Sequence, residues 1–243
     1  YRIADLPWNV CGAINMNEIR NNWDLSEVLA LFEKPFNEIL SQAHEIHIEN
    51  HKKDMVQVCT LLSVKTGGCP EDCGYCSQSI HSDEPIEATP LMSLEEVREK
   101  ATIARNQGST RFCMGAAWRR PSNKNIDRVI KMIDVVHELG MESCVTLGML
   151  SQDQAIRLSK SGLNYYNHNL DTSREHYSKV ISTRNYQDRL NTLKHVRESG
   201  IKVCSGGILG LGESREDRAK LLIELANLEQ HPESVPINML VHM

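Results

Sequence analysis

Apolar and polar positions along the chain switch repeatedly between the pattern of a buried strand and that of an amphipathic helix. Short apolar runs rich in β-favouring residues predict strands, and longer runs with apolar residues three to four positions apart predict helices. The predicted strands are residues 57–64, 110–115, 142–148, 163–168, 201–206 and 235–240. The helices predicted between them are residues 93–108, 126–139, 151–162, 187–199 and 215–228.

Local signals mark the ends of several of these helices. Ser93 with Glu96, and Ser151 with Gln154, form the Ser-x-x-Glu/Gln pattern of a capping box at the first turn. Glycines that suit the left-handed turn after a helix follow four of the predicted helices. They are Gly108, Gly140, Gly162 and Gly200.

The predicted strands and helices divide the chain into three parts. Residues 1–15 show neither the basic start nor the apolar core of a secretory signal, so we interpret them as a non-native or upstream leader. Residues 16–54 form an N-terminal helical extension, in which a helix over residues 25–51 is broken or kinked by Pro35. Residues 55–243 form the α/β domain.

Strict alternation of strands and helices predicts a parallel sheet with right-handed crossovers. Two architectures remain, a doubly wound open sheet and part of a (β/α)8 barrel, which would need two more units than the six strands found. No Gly-x-Gly-x-x-Gly opens the first helix, which disfavours a dinucleotide site. The glycine-rich residues 206–212 are either a flexible loop or a point of close approach to a ligand.

Composition narrows the possible classes of protein. The 243 residues carry 27 basic and 32 acidic side chains, a net charge of −5 that argues against a strongly basic nucleic-acid binder. The sequence contains no apolar run of about 18 residues, as a membrane-spanning helix would need. Since a buried parallel strand rarely ends a chain, the strand predicted at 235–240 suggests C-terminal truncation.

Three cysteines lie in the loop after the first strand. Cys69, Cys73 and Cys76 have the spacing C-x3-C-x2-C, at the end of a parallel strand where functional sites form. Three thiolates this close predict one metal centre. A zinc site would need a fourth ligand, for which His81 is a candidate. A [4Fe–4S] cluster on three cysteines would keep one iron open for a substrate or cofactor.

This motif, with Tyr75 directly before the last cysteine, resembles the radical S-adenosylmethionine (SAM) superfamily. The resemblance implies that SAM chelates the open iron of a [4Fe–4S] cluster. An electron from the cluster then cleaves the sulfonium bond, and the resulting 5′-deoxyadenosyl radical abstracts hydrogen from an unactivated carbon. Residues 110–118, 165–172, 203–207 and 236–240 narrow the resemblance to the biotin synthase family, from about Leu25 to Val241.

The biotin synthase resemblance implies a partial (β/α)8 TIM-type barrel with about six β/α units. The implied reaction inserts sulfur into dethiobiotin to form biotin. A flavodoxin- or ferredoxin-type electron donor, a homodimer, and a cytoplasmic or, in a eukaryote, mitochondrial location are also implied. We expect the chain, as an incomplete fragment, to be poorly soluble and to make no biotin alone. The alternatives are another radical SAM enzyme and a non-catalytic zinc-binding α/β module.

Three further cysteines, Cys113, Cys144 and Cys204, fall within separate predicted strands. On their own they are typical of small buried thiols, although three strand thiols could also converge inside a barrel. The resemblance implies that they hold a [2Fe–2S] cluster, the sulfur donor, with an arginine from a later strand. No residue here matches that arginine, and neither Arg111 nor Arg189 is a substitute.

Other site residues are also assigned by resemblance. Asn169 and Asp171 are implied to contact SAM and dethiobiotin, and Asn238 to contact dethiobiotin. Arg189 is placed near the SAM carboxylate, and Tyr75 beside the adenine. We interpret His168 and the other histidines as structural or surface residues, and Cys11 and Cys59 as ordinary thiols.

Overall fold

A computed structural model describes residues 19–241 of the chain. Two helices come first, α1 (Leu25–Glu33) and α2 (Phe36–Asn50), and they are separated at Pro35 as predicted. The predicted leader, residues 1–15, lies outside the described residues. No helix in the described part of the chain has the length and apolar character needed to cross a membrane.

Alternating strands and helices follow these two helices. They are β1 (Cys59–Lys65), α3 (Leu94–Asn106), β2 (Arg111–Ala116), α4 (Asn123–Glu138), β3 (Glu142–Thr146), α5 (Gln152–Lys160), β4 (Tyr165–Asn167), α6 (Arg174–Val180), α7 (Tyr186–Glu198), β5 (Lys202–Cys204), β6 (Gly207–Leu209), α8 (Arg215–Ala226) and β7 (Ile237–Met239). Strands β1 to β5 form one parallel sheet in chain order, and β6 and β7 form a parallel pair. The predicted α/β class with parallel strands is confirmed.

The fifth predicted strand is divided in two. Strands β5 and β6 are separated by Ser205 and Gly206, and β6 pairs with β7. Single bridges from Asp171 to Gly207 and from Cys204 to Ser234 join the two sheets. With β5 and β6 counted together as the divided fifth strand, the described residues contain six strands, as predicted. Because residues 207–209 are a strand, a loop over the whole of 206–212 was a wrong prediction.

Helix α6 was missed by the sequence pattern because it has only 7 residues, too few for a clear apolar period. The Ser173 side chain accepts a hydrogen bond from His176 N and so caps its first turn. Helix α4 also begins earlier than predicted, at Asn123, because Ser122 caps it in the same way. The capping boxes predicted at Ser93 and Ser151 are present.

Alternate strand residues are buried on the helix-covered side of the sheet. Phe112, Met114, Val145, Tyr166 and Val203 belong to the main apolar core there. Since successive side chains on a strand point to opposite faces, the residues between them face the inside of the curved sheet. We call that side the lumen. It receives Cys113, Cys144 and Cys204.

A substitution at Gly206 tests the close backbone packing at the junction between β5 and β6. A Cβ atom at this residue would lie 1.8 Å from the carbonyl oxygen of Pro236, which is backbone and cannot rotate away. We therefore expect Gly206→Ala to lower the free energy of unfolding by about 2–3 kcal/mol, measured by urea denaturation.

Gly115→Ala is the matched control for this junction. Its Cβ would meet only the Leu61 side chain, at 3.9 Å, so we expect a change below about 1 kcal/mol. Equal unfolding midpoints for the two variants would contradict the close backbone approach at Gly206.

Candidate active site

A cavity of about 240 Å³ lies at the carboxyl ends of β1 to β4. This is the end of a parallel α/β sheet where ligands are usually bound. Residues from the strand ends, from the cysteine loop and from the segment before α7 line it. They include Ser63, Cys69, Cys73, Tyr75, Cys76, Gly115, Thr146, Asn167, Asn169, Asp171, Arg184 and Arg189.

The three-cysteine loop is shaped by two glycines that follow β1 after Thr66. Gly67 and Gly68 have φ values of 59° and 69°, and a Cβ at Gly67 would lie 2.3 Å from a backbone oxygen. Backbone hydrogen bonds then close the loop, from Cys69 N to the Gln78 carbonyl at 3.0 Å and from Cys76 N to the Cys73 carbonyl at 2.9 Å. The three thiols consequently border one cavity.

The thiols of this loop suit an iron–sulfur cluster. Burial raises the pKa of Cys69, and it raises the pKa of Cys73 to about 11, so both thiols keep their protons without a bound cation. Binding of iron would replace those protons and compensate the thiolate charges. The sequence offers three thiols and one open side, which fits a [4Fe–4S] cluster with an open iron.

A single zinc ion fits less well. Within residues 19–241, no three Cys, His, Asp or Glu side chains come close enough together to hold one metal ion. A cuboidal cluster attaches each thiolate to a different iron and therefore accepts thiols that are further apart. His81, the proposed fourth zinc ligand, is exposed and does not line the cavity.

The cysteine loop is held by the segment between α6 and α7. We name residues Ser182, Thr183 and Arg184 the clamp segment. The backbone N–H groups of Ser182 and Thr183 donate to Asp72 Oδ1 at 2.9 and 3.1 Å, and both hydroxyls also donate to the Asp72 carboxylate. Burial opposes ionisation of Asp72, but these hydrogen bonds outweigh it and hold the pKa well below its usual range.

A buried ion pair lies beside the end of β4. Arg189 pairs with the carboxylate of Asp171, and Asp171 Oδ2 also accepts a hydrogen bond from the Tyr75 hydroxyl at 2.8 Å. Burial disfavours the charge on Arg189, but the Asp171 carboxylate outweighs burial and raises the pKa of the guanidinium. The backbone of Asp171 has φ of 69°, a sparsely populated conformation for a residue other than glycine. The structure thus brings Tyr75, Asp171 and Arg189 together.

We call the cluster of Tyr75, Asp171 and Arg189, together with Asn167 and Asn169, the polar wall of the cavity. The two asparagines extend it into the lumen. Asn167 Nδ2 donates to Asn169 Oδ1 at 3.1 Å and contacts the Cys204 sulfur at 3.3 Å. Asn169 Oδ1 also accepts a hydrogen bond from Gly206 N at 3.2 Å. These contacts satisfy part of the polarity of the amides, which makes their burial tolerable.

The strand cysteines lie near the cavity, Cys113 and Cys144 in the middle of β2 and β3 and Cys204 at the end of β5. Cys113 and Cys144 are direct partners in the β2–β3 register, and the interaction between their side chains lowers the pKa of Cys113 and raises that of Cys144. Cys204 is opposite Asn167 in the β4–β5 register. Three lumen thiols on β2, β3 and β5 suit a [2Fe–2S] cluster with one further ligand.

Arg111 also faces the lumen, two residues before Cys113. Its Nε and Nη2 donate to Glu142 Oε2 at 3.1 and 2.9 Å, and its guanidinium lies 3.5 Å from the centre of the Tyr165 ring. These contacts occupy the guanidinium, in keeping with the expectation that Arg111 is no substitute for the missing arginine ligand.

Some residues lie elsewhere than the sequence suggested. Asn238, on β7, is exposed and does not line the cavity. His168 does line it, although the sequence pattern gave it only a structural or surface role. Its Nε2 has no hydrogen-bond partner in the described part of the chain, and burial, with Arg189 and Arg184 nearby, lowers its pKa.

The sequence pattern also missed Glu71 and Arg184, both of which line the cavity. The Glu71 side chain is buried, contacts the Thr183 hydroxyl, and lies 3.3 Å from Arg119 Nε. Its place between two cysteines of the motif was the available signal. No comparable signal marked Arg184, which follows the missed helix α6.

Comparisons with known proteins agree with these features. Residues 63–225 match the model of the Radical SAM superfamily. The chain is 60% identical over 228 residues to the biotin synthase of Thioalkalivibrio sulfidiphilus, an alignment that covers 94% of this chain and 67% of that protein. It is 57% identical to the biotin synthase of Ruthia magnifica, covering 93% and 70%. The chain therefore spans about two thirds of the length of these curated relatives.

Solved structures share the fold. The FeFe-hydrogenase maturase HydG from Carboxydothermus hydrogenoformans matches with a TM-score of 0.75 at 22% identity, covering 90% of this chain and 53% of that one. Methylornithine synthase matches with a TM-score of 0.74 at 16% identity, covering 90% and 64%. At these identities the likeness concerns the architecture alone.

The hydrogen bonds to Asp72 predict a pH-dependent contribution to stability. Because the pKa of Asp72 is lower in the folded chain than the value of about 3.9 in the unfolded one, its contribution is present above about pH 4 and lost as the pH falls. We expect Asp72→Asn to lower the free energy of unfolding more at about pH 6 than at about pH 3. Urea denaturation at the two pH values measures the difference.

Asp83→Asn, which changes an exposed aspartate, is the control for this experiment. We expect little effect of that change at either pH. A loss of stability in Asp72→Asn that is the same at both pH values would contradict the role of the clamp segment hydrogen bonds.

Proposed function

Since the chain belongs to the biotin synthase family of the radical SAM superfamily, we propose that it carries the cofactor-binding part of an enzyme that inserts sulfur into dethiobiotin. One observation carries this proposal. The thiols of Cys69, Cys73 and Cys76 border a cavity at the carboxyl ends of parallel strands, and the Asp171–Arg189 pair borders the same cavity.

Each loop cysteine has a defined part in the proposed function. Cys69, Cys73 and Cys76 would hold a [4Fe–4S] cluster and leave one iron open to SAM. When bound, the cluster and SAM supply an electron and a 5′-deoxyadenosyl radical, chemistry that protein side chains lack. The surrounding residues bind and orient these groups and keep water away from them.

The polar wall of the cavity would orient SAM and the substrate. The guanidinium of Arg189 is positioned to attract the SAM carboxylate, while Asp171 and Asn169 offer oxygens to hydroxyl and N–H donors. Tyr75 lies beside them through its hydrogen bond to Asp171 and would border the adenine. Asn238, exposed on β7, would contribute its amide group to dethiobiotin.

The lumen thiols would serve the insertion of sulfur, which follows hydrogen abstraction from the substrate. Cys113, Cys144 and Cys204 would hold the [2Fe–2S] cluster that supplies sulfur, with an arginine as the fourth ligand. The cavity and the lumen thiols adjoin each other through Asn167, which lines the cavity and contacts the Cys204 sulfur. Dethiobiotin would lie between the two centres.

The proposed enzyme also needs partners. A flavodoxin- or ferredoxin-type protein would supply the electrons, and two copies of the enzyme would form a homodimer. Free thiols and iron–sulfur clusters require a reducing compartment, which in a bacterium is the cytoplasm.

SAM cleavage directly tests the proposed cluster at the three loop cysteines, which we call the first centre. We expect the anaerobically reconstituted chain, reduced with dithionite, to convert SAM to methionine and 5′-deoxyadenosine, quantified by chromatography. Cys69→Ala removes one cluster ligand, and we expect it to lower the yield by at least about a hundredfold, whereas Cys59→Ala leaves it unchanged.

Deuterated dethiobiotin tests the substrate. If dethiobiotin binds beside SAM, deuterium will appear in the 5′-deoxyadenosine, as detected by mass spectrometry. Cleavage of SAM without deuterium transfer would favour a radical SAM enzyme with another substrate. Absence of cleavage together with stoichiometric zinc would contradict the radical chemistry.

A further inference from the structure

Arg184 joins the cysteine loop to the clamp segment by a contact to a sulfur atom. Its Nη2 donates to the Sγ of Cys73 at 3.5 Å, and its side chain lines the cavity. Cys73 is itself buried, so the guanidinium and the sulfur meet in a region poor in water. Electrostatic effects between such groups are stronger there than in solution.

The position of Arg184 is fixed by its neighbours in the clamp segment. Ser182 and Thr183 hold the Asp72 carboxylate with backbone and hydroxyl donors, and Gly74 N donates to the Val180 carbonyl at 3.0 Å. The chain on both sides of Cys73 is therefore attached to the segment that carries Arg184. This attachment holds the guanidinium against the sulfur.

The charge of Arg184 has no carboxylate partner within the described part of the chain. The nearby Arg189 pairs with Asp171, and Arg119 pairs with Glu71. The Nε atom of Arg184 is buried and has no hydrogen-bond partner among residues 19–241. An uncompensated, partly buried cation facing a cavity indicates that the group bound there is an anion.

A reduced iron–sulfur cluster on three thiolates is such an anion. On reduction the cluster gains one electron, which an external low-potential donor loses, and its net charge becomes more negative by one unit. A fixed cation beside one of its thiolate ligands stabilises the reduced form more than the oxidised form.

We propose that Arg184 is a positioning residue for the first centre, whose guanidinium, held by the clamp segment against Cys73, favours the reduced state of the cluster. This inference rests on the proposed function, because it needs a cluster at the three loop cysteines. Arg184 would thereby help to determine how easily the cluster is reduced, and this reduction precedes SAM cleavage.

The test is a redox titration of the anaerobically reconstituted full chain, followed by electron paramagnetic resonance. The signal of the reduced [4Fe–4S] cluster is identified as the one that Cys69→Ala abolishes. At the potential where half of the wild-type cluster is reduced, we expect Arg184→Gln to lower the ratio of reduced to oxidised cluster by about tenfold.

Two further variants separate charge from structure. Arg184→Lys keeps the charge and should restore most of the wild-type ratio. Arg157→Gln removes the charge of a distant arginine paired with Asp127, and it should leave the ratio unchanged. Ser182→Ala removes a hydroxyl that donates to Asp72 and changes no charge, so we expect an intermediate decrease, which also serves as the test if Arg184→Gln does not fold.

The outcomes separate the two proposals. If the wild-type chain binds no cluster, the proposed function fails. If it binds a cluster and cleaves SAM, but Arg184→Gln and Ser182→Ala titrate like the wild type, only the role of Arg184 is overturned. An equal decrease in Arg184→Lys and Arg184→Gln would also overturn it, because charge would then not be the cause.

Discussion

The register of the parallel strands is the constraint on which the lumen side chains depend. Phe112, Met114, Val145, Tyr166 and Val203 are buried against the helices, and this burial fixes which alternate residues face inward. A slip of one residue in β2, β3 or β5 would move its cysteine into the apolar core and an apolar side chain into the lumen. Burial of apolar area, at about 25 cal/mol per Å², thus places the thiols.

Side chains at the carboxyl ends of the strands are positioned by electrostatic interactions as well as by apolar packing. The Asp171–Arg189 pair is buried, and loss of one partner from such a pair typically costs about 3–5 kcal/mol because the other charge is left alone. The positive φ of Asp171 adds conformational cost at the same residue. Strain and buried charge together are more typical of a binding site than of a purely structural one. The polar wall is therefore formed before any ligand arrives.

Much of the architecture could be predicted from local patterns. Capping residues such as Ser93 and Ser151 are local signals, and they located helix starts to within one residue. The spacing of Cys69, Cys73 and Cys76 after a strand was sufficient to place these thiols at the carboxyl end of the sheet, where the cavity lies. Helix α6 and the division of the fifth strand were missed, because seven residues and a glycine-rich junction give no clear period.

The contacts that complete the site could not be predicted from the sequence pattern. Asp72 and the clamp segment lie 110 residues apart in the chain, and no periodicity relates them. The same holds for Arg184 and Cys73, and for Tyr75 and Asp171. Such pairs are set by how the loops pack at the carboxyl ends of the strands, which depends on the whole fold.

We propose that the three loop thiols hold a [4Fe–4S] cluster with an open iron. The most direct measurement is the ⁵⁷Fe Mössbauer spectrum of the anaerobically reconstituted chain with and without SAM. We predict a [4Fe–4S] spectrum in which SAM changes the signal of a single iron, and loss of that spectrum in Cys76→Ala. A chain that binds zinc but no cluster, or a cluster spectrum that survives in Cys76→Ala, would contradict the claim.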